Sequence, residues 1–508
     1  MLISLPAHLI LLLQTLLIST HIVGGAIIVR DGPVTGRIQT TPVTVYKPRS
    51  LEFLKRTRLR SLRQLECEAQ SNVNQTERLE WDAVQVEGPD VEDRHTLAQL
   101  ARMAGNAYAL PGHSNWYDVD PAWNTSFPFG WEEGEGFRGH VFLSSDNNTV
   151  VLSIKGTTLN GPTSRLDKYN DNLLFSCCCA RHAWVLRTVC DCYGSGWTCD
   201  NQCLSDALIE DSLFYSIGTK LVDDLLHIYP SANIWLVGHS LGGALSTLLG
   251  ATYGLPAVAF ESPGERLAAQ RLHLPLPPTI NDTEPETPSF WARFPILAAI
   301  LPTPRVPRSP PPPPPLAASI THVYHTADPI PFGTCSGLYS ACASAGYALE
   351  TKCHLGKSIV FDTLNRMKWL VDVRKHVVKE VVKLLDVPAE GEDGVDWGDD
   401  GEGGGEDPED PCRDPNWCFG GASMRGVVQR VWAWTLGDGP DVGMRGIHLP
   451  GKNKKKPGKG KKGEGEDGGE EKKKDYTRVP KAIVEVDCVD CARWEFLPNE
   501  EEKGIGTN

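Results

Sequence analysis

The sequence predicts an α/β fold built on a mainly parallel sheet. Three observations carry that expectation. An amphipathic helical pattern between Ser205 and Tyr229 is followed by the short apolar run Ile234 to Val237. A second helical pattern, Leu241 to Tyr253, comes next, and a further apolar run, Pro256 to Phe260, follows it directly. Helices that alternate with short apolar strands can bury both faces of a sheet only when the strands run parallel.

Taken in order, the chain opens with Met1 to Val29, which holds no charged side chain and is long enough to span a bilayer. A signal anchor over residues 1–29 is the expectation, with a cleaved signal peptide as the alternative because Gln14, His21 and Gly24-Gly25 interrupt the run. Residues 30–89 read as a luminal linker and residues 90–388 as the folded domain. Within that domain Thr96 to Ala104 reads as a short amphipathic helix. Val141-Phe142-Leu143 and Val150 to Ile154 flank polar turn residues and predict a hairpin. The apolar series Ile209, Leu213, Ile217, Leu221, Leu225, Ile228 predicts one helix, closed by Pro230. Residues 274–316 are proline-rich, end in Pro310 to Pro315, and read as an extended surface insertion. Ser319 to His325 reads as a strand, and Leu364, Met367, Trp369, Leu370, Val373, Val377 and Val381 predict a helix over Phe361 to Leu385. Pro388 marks the end of the fold, and residues 389–508 read as a low-complexity charged tail, largely disordered.

Composition narrows the function classes. Hydrophobic residues at 41% and charged residues at 22% fit a globular chain, and a net charge of −14 gives no basic footprint, so nucleic acid is not expected as a partner. Eleven acids and no Lys or Arg fall between Ala389 and Asp410, so the rest of the chain is nearly balanced. Fifteen cysteines, seven of them between Cys177 and Cys203, point to an oxidising compartment and to disulfides. That cluster lacks a paired C-x-x-C frame, so a metal site is not expected. Cys488-Val489-Asp490-Cys491 lacks a thioredoxin-like context and reads as disulfide-forming. N-x-[ST] sequons at Asn74, Asn124, Asn147 and Asn281 lie beyond the apolar segment and favour a luminal, glycosylated body.

Gly238-His239-Ser240-Leu241-Gly242 sits between a predicted strand and a predicted helix, the context of a nucleophile elbow. There the serine takes strained backbone angles, and the glycines remove side chains that would collide with strand and helix. A serine hydroxyl needs an imidazole to accept its proton and a carboxylate to orient that imidazole. Asp328, just past a strand and before Pro329, is the candidate acid, although an Asx turn would also explain it. Within the folded domain His354 and His376 follow it, with His448 beyond in the charged tail; His376 is the preferred base, because His354 adjoins Cys353, while His239 and His325 read as structural. The backbone N–H of Leu241 and Thr157, in the turn Lys155-Gly156-Thr157, are the candidate oxyanion donors. The set requires no cofactor and no metal.

The Lys155-Gly156-Thr157 turn, the elbow with Ala244, the Asp328-Pro329-Ile330-Pro331 loop and the late His376 resemble the class 3 lipases, which are α/β-hydrolases. The apolar N-terminus, Cys190-Asp191-Cys192-Tyr193 and the sequons are similar to the fungal autophagic lipases of the vacuole. The resemblance covers the anchor and residues 90–388. It implies a type II single-pass membrane protein that travels through endosomes and multivesicular bodies to the vacuole. There it would hydrolyse phospholipids and acylglycerols of autophagic bodies and intravacuolar vesicles, with phosphoinositides among its lipid partners. The other reading is a silent hydrolase fold that binds lipid or a partner; a secreted carbohydrate esterase is disfavoured by the anchor.

Overall fold

The computed structural model describes residues 37–56, 58, 79–123, 125–132, 136–159, 161–178, 189–194, 196–211, 213–277, 315–335, 340–386, 395–397, 476–485 and 488–497. The expected anchor, the body of the proline-rich insertion and most of the charged tail lie outside these residues, as do Asn74, Asn124 and Asn281. Among the described residues no helix is long and apolar enough to cross a membrane.

Seven strands form one sheet: β3 (Thr125–Phe129), β4 (Gly139–Leu143), β5 (Thr149–Ile154), β7 (Asn233–His239), β8 (Ala257–Phe260), β9 (Ile320–His325) and β10 (Lys357–Phe361). Their order is β10-β9-β8-β7-β5-β4-β3. Every neighbouring pair from β10 to β5 is parallel, and β4 and β3 add antiparallel at the far edge. The expected hairpin is β4–β5, with Asn147 exposed in its turn at φ 58°.

Side chains alternate across the central strands, as the pleat requires. Val150, Leu152, Ile154, Ile234 and Leu236 face one side with Leu245, Leu248 and Leu249 of α5 (Leu241–Tyr253). Val151, Trp235, Val237 and Phe260 face the other with α1 (Arg94–Asn106) and α9 (Val378–Leu385). Burial on both faces explains why these strands read as continuous apolar runs. Helix α1 begins where Asp93 Oδ2 accepts the Thr96 amide at 2.8 Å, an N-cap that offsets an otherwise unpaired donor.

Three expectations are corrected. The stretch read as a linker carries a nine-residue antiparallel ribbon, β1 (Thr40–Pro48) with β2 (Trp81–Pro89), tied to the sheet by Trp235 Nε1 donating to Glu87 O at 2.8 Å. The helix expected from Ser205 to Tyr229 is met by helical residues on both sides of position 212, which lies outside the described residues: α3 (Asn201–Asp211) and α4 (Leu213–Ile228). The helix expected over Phe361 to Leu385 is broken. Strand β10 ends at Phe361, and α8 (Thr363–Met367) stops where Lys368 turns left-handed at φ 55°. Asp372 then caps a 3₁₀ turn, Val373–His376, before α9 begins.

The fold also does not end at Pro388. Residues 476–485 and 488–497 return as a strap: Ile483 exchanges two backbone hydrogen bonds with Ser358 on the edge strand β10, and β11 (Glu495–Leu497) pairs with β6 (Thr198–Asp200). Pairing an exposed sheet edge in this way removes an aggregation template. Two disulfides fasten the strap, Cys177–Cys491 and Cys353–Cys488, while Cys178–Cys199, Cys192–Cys203 and Cys335–Cys342 close shorter loops. The C-x-x-C motif is thus split between two bridges to distant parts of the domain. Glu485 adds a buried contact, its Oε1 lying 3.1 Å from His354 Nδ1. Burial opposes its charge, yet the facing His354 holds the Glu485 carboxyl down at about 2.

Cys491→Ser is expected to lower unfolding stability by about 2–5 kcal/mol, the usual loss for a native disulfide. The urea midpoint measured without reductant checks it, and an unchanged midpoint would mean that the strap adds nothing to the fold.

Candidate active site

Strand β7 delivers the chain to Ser240 and α5 carries it away, so the serine occupies a turn at φ 58°, ψ −130°. A non-glycine residue there is strained and persists only where its surroundings over-determine it. They do: the Ser240 amide donates to Phe260 O at 2.9 Å, and the crossing backbones leave no room for side chains at the flanking positions. A Cβ on Gly238 would lie 2.2 Å from Gly242 O, and one on Gly242 would lie 2.1 Å from Ile154 O.

His376 ends its 3₁₀ turn with Nε2 2.8 Å from Ser240 Oγ and Nδ1 2.6 Å from Asp328 Oδ2. With the ring proton on Nδ1, facing the carboxylate, Nε2 is free to accept the serine proton. Asp328 is fully buried, and its other oxygen accepts the Ile330 amide at 3.0 Å. The Asx turn and the role of imidazole partner are therefore both realised in one side chain. Burial works against the Asp328 charge, but the facing His376 and hydrogen bonds from His376 and Glu261 outweigh it and hold the carboxyl below its ordinary range.

The remaining histidines are placed elsewhere. His354 is bound to Glu485 on the strap. His325 Nε2 lies 3.2 Å from Lys375 O. His239 sits beneath His376, its Nε2 2.7 Å from His376 O and its Nδ1 2.9 Å from the Tyr108 hydroxyl. Burial, then the neighbouring His376, push His239 down to about 3, so it stays neutral and serves as a fixed prop.

Both candidate oxyanion residues adjoin the serine. Leu241 opens α5, and the first amides of a helix have no intrahelical partner. The turn that holds Thr157 packs on the elbow, since a Cβ on Gly156 would lie 3.1 Å from Ser240 Cβ. Beneath the turn, Lys155 Nζ donates to Asp167 Oδ2 at 2.7 Å and to Gly156 O at 2.7 Å, while the Thr158 amide donates to the same Asp167 oxygen at 2.9 Å. Lys155 and Asp167 are both buried, so removing either alone strands a charge.

Besides Asp167, two further acids at the site were not singled out by sequence. Asp171 accepts the Thr157 hydroxyl, and burial pushes its carboxyl up to about 8. Glu261, two residues before Pro263, is buried against Asp328. Its Oε1 accepts the His325 amide at 3.1 Å. Burial, then the Asp328 charge, raise Glu261 well above the carboxylate range, so it holds a proton and can donate to Asp328. Neither has a motif; each lies far in sequence from what it touches.

A strained serine between strand and helix, hydrogen-bonded through an imidazole to a buried carboxylate, fits the nucleophile elbow of an α/β-hydrolase. Residues 154–255, from the oxyanion turn to the end of α5, match the family described as Lipase (class 3). The chain is 43% identical over 428 residues to "Putative lipase ATG15" of Cryptococcus neoformans var. neoformans serotype D, covering 82% of this chain and 70% of that one. It is 40% identical over 423 residues to the protein of the same name in Mycosarcoma maydis, covering 82% and 69%. The namesake in Saccharomyces cerevisiae is 43% identical over 312 residues, 59% of this chain and 54% of that one. The chain belongs to the ATG15 family of fungal class 3 lipases.

The buried acids set a pH dependence. A carboxyl whose folded pKa is raised stabilises the fold below its unfolded pKa and loses that contribution as pH climbs toward the folded value. Asp171→Asn and Glu261→Gln are therefore expected to match the parent near pH 4 and to gain on it toward pH 7, by up to about 1.4 kcal/mol per pH unit for one proton. Unfolding midpoints of parent and variants at the two pH values check it; a constant difference would show that neither carboxyl holds its proton.

Proposed function

We propose that this chain is a membrane-anchored serine hydrolase that cleaves acyl esters of membrane phospholipids and acylglycerols and serves the lysis of autophagic bodies and multivesicular-body vesicles in the vacuole. The observation that carries the catalytic part is the unbroken Ser240–His376–Asp328 hydrogen-bond chain beside two candidate oxyanion donors. The names of the relatives support an autophagic role. The apolar residues 1–29 support a type II anchor, and five disulfides and an exposed Asn147 sequon fit a luminal, glycosylated body.

In this reading Ser240 Oγ attacks the ester carbonyl carbon as its proton passes to His376 Nε2. The carbonyl oxygen takes the negative charge and is held by the amides of Leu241 and Thr157. The Thr157 hydroxyl is engaged by Asp171; when Asp171 carries a proton it can donate in return, leaving the hydroxyl hydrogen for the oxyanion. His376 then gives its proton to the leaving alcohol oxygen as the C–O bond breaks. Water attacks the acyl-serine, His376 takes its proton, and Ser240 recovers a hydrogen as the fatty acid departs. Asp328 keeps the imidazole in one tautomer and balances its charge.

The test is fatty acid release from phospholipid vesicles by the full chain at acidic pH, because ending the chain at residue 388 would remove the partners of Cys177 and Cys353. Ser240→Ala is expected to lower the rate roughly 10⁴- to 10⁶-fold. Asp328→Asn should lower it about 10⁴-fold through the wrong tautomer. Vesicles bound but left intact by the disulfide-bonded parent would support the silent binder instead.

A further inference from the structure

The break in the helix expected over Phe361 to Leu385 leaves an apolar patch beside the site. Leu370 is 80% exposed, the largest exposure of any large apolar side chain among the described residues. Met367, Val371 and Val377 are exposed as well. Val377 directly follows His376, and Leu159, also exposed, lies two residues past Thr157 in sequence. Large apolar side chains grouped around one feature mark an interaction surface rather than ordinary scatter.

The turn that carries them is built to project. The Trp369 amide donates to Thr363 O at 3.2 Å, and its ring meets that of His325 edge-on at 5.3 Å. Lys375 Nζ covers the Trp369 ring at 3.8 Å. The Asp372 amide donates to Ala327 O at 3.0 Å, beside Asp328. Trp369 and Asp372 are thus fixed to the fold while Leu370 and Val371 between them point outward.

Charge selects the partner. Residues 363–383 contain six Lys or Arg and two Asp or Glu, in a chain whose net charge is −14. Both acids are already matched within the segment, Asp372 to Arg374 at 3.0 Å and Glu380 to Lys375 and Lys383 at 3.1 and 3.0 Å. Lys368 and Lys379 stand exposed next to the apolar residues. Cations that flank exposed Leu and Val fit a bilayer whose surface is anionic and whose interior is apolar. We infer that the 367–377 segment is a docking face for an anionic phospholipid membrane, with Leu370 and Val371 entering the acyl boundary and Lys368 and Lys379 meeting headgroup phosphates.

The inference rests on the ester-hydrolase reading only for its benefit, which is to bring Ser240 and His376 to the bilayer surface. The first experiment compares the full chain with Leu370→Asp/Val371→Asp and Lys368→Glu/Lys379→Glu, reading the ratio of activity on phosphatidylserine-containing vesicles to activity on a dissolved short-chain ester. The apolar pair is expected to lower that ratio at least about tenfold, what burying one Leu side chain is worth. The lysine pair should lower it on anionic vesicles alone, by an amount that added salt reproduces in the parent. A ratio unchanged in both variants overturns the inference.

The second experiment needs no turnover: hydrogen–deuterium exchange of residues 363–383 in full-length Ser240→Ala. Protection that appears with anionic vesicles and not with phosphatidylcholine vesicles is expected. Vesicle-bound protein whose segment stays unprotected, or protection that follows protein concentration without vesicles, as a second copy would give, overturns it. A protected segment in a parent that cleaves no ester would remove the hydrolase reading and leave the docking face.

Discussion

The strained turn at Ser240 is the constraint on which the rest of the structure depends. A side chain held at φ 58°, ψ −130° costs about 1–3 kcal/mol, so strand β7 and helix α5 must be fixed more firmly than that. They are fixed by burial: β7 lies in the middle of the sheet, and every residue of α5 is buried. The glycines at 238 and 242 then follow as necessities of backbone crossing. Once the elbow is rigid, its neighbours can be positioned against it, and the Lys155-Gly156-Thr157 turn packs on Gly242 and Ser240 directly.

This dependence explains which parts of the site were legible in the sequence. The elbow was legible because strand, glycines, serine and helix are contiguous. Asp328 and His376 could be read because chain order leaves few candidates after Ser240. Asp167, Asp171, Glu261 and Tyr108 act through contacts between residues distant in sequence, and no local pattern marks them. The misread helix has a local cause. Leu364, Met367, Trp369 and Val373 fit a helical period, and the stops that break it, a left-handed Lys368 and a capping Asp372, are weak signals in sequence. The strap is the converse case. Its glycine- and lysine-rich approach dominated the composition, while Cys488 and Cys491, the residues that tie it down, were correctly read as disulfide-forming but could not reveal their partners.

Electrostatics around the site divide into two groups with opposite pH sense. Asp328 and Glu485 have lowered pKa values, so their contribution is present above the ordinary carboxylate range and fades as pH falls toward the folded values. Asp171 and Glu261 have raised values, and their contribution is fullest in acid and fades as pH rises. The two groups overlap between these limits, in mildly acidic solution. Disulfides do not titrate, so the strap stays tied across the whole range.

Glu261 bears on how such a site could work in acid. An imidazole acting as base must not be held too firmly in its charged form, and a fully exposed field from Asp328 would favour exactly that form. A neutral Glu261 buried beside Asp328 adds no second negative charge next to the imidazole. His239, kept neutral under His376, adds no positive charge of its own in acid, and its bond to His376 O holds the backbone in place. Both neighbours thus stay uncharged beside the Ser240–His376–Asp328 chain, and of the two only Glu261 goes unmarked by any local pattern in the sequence.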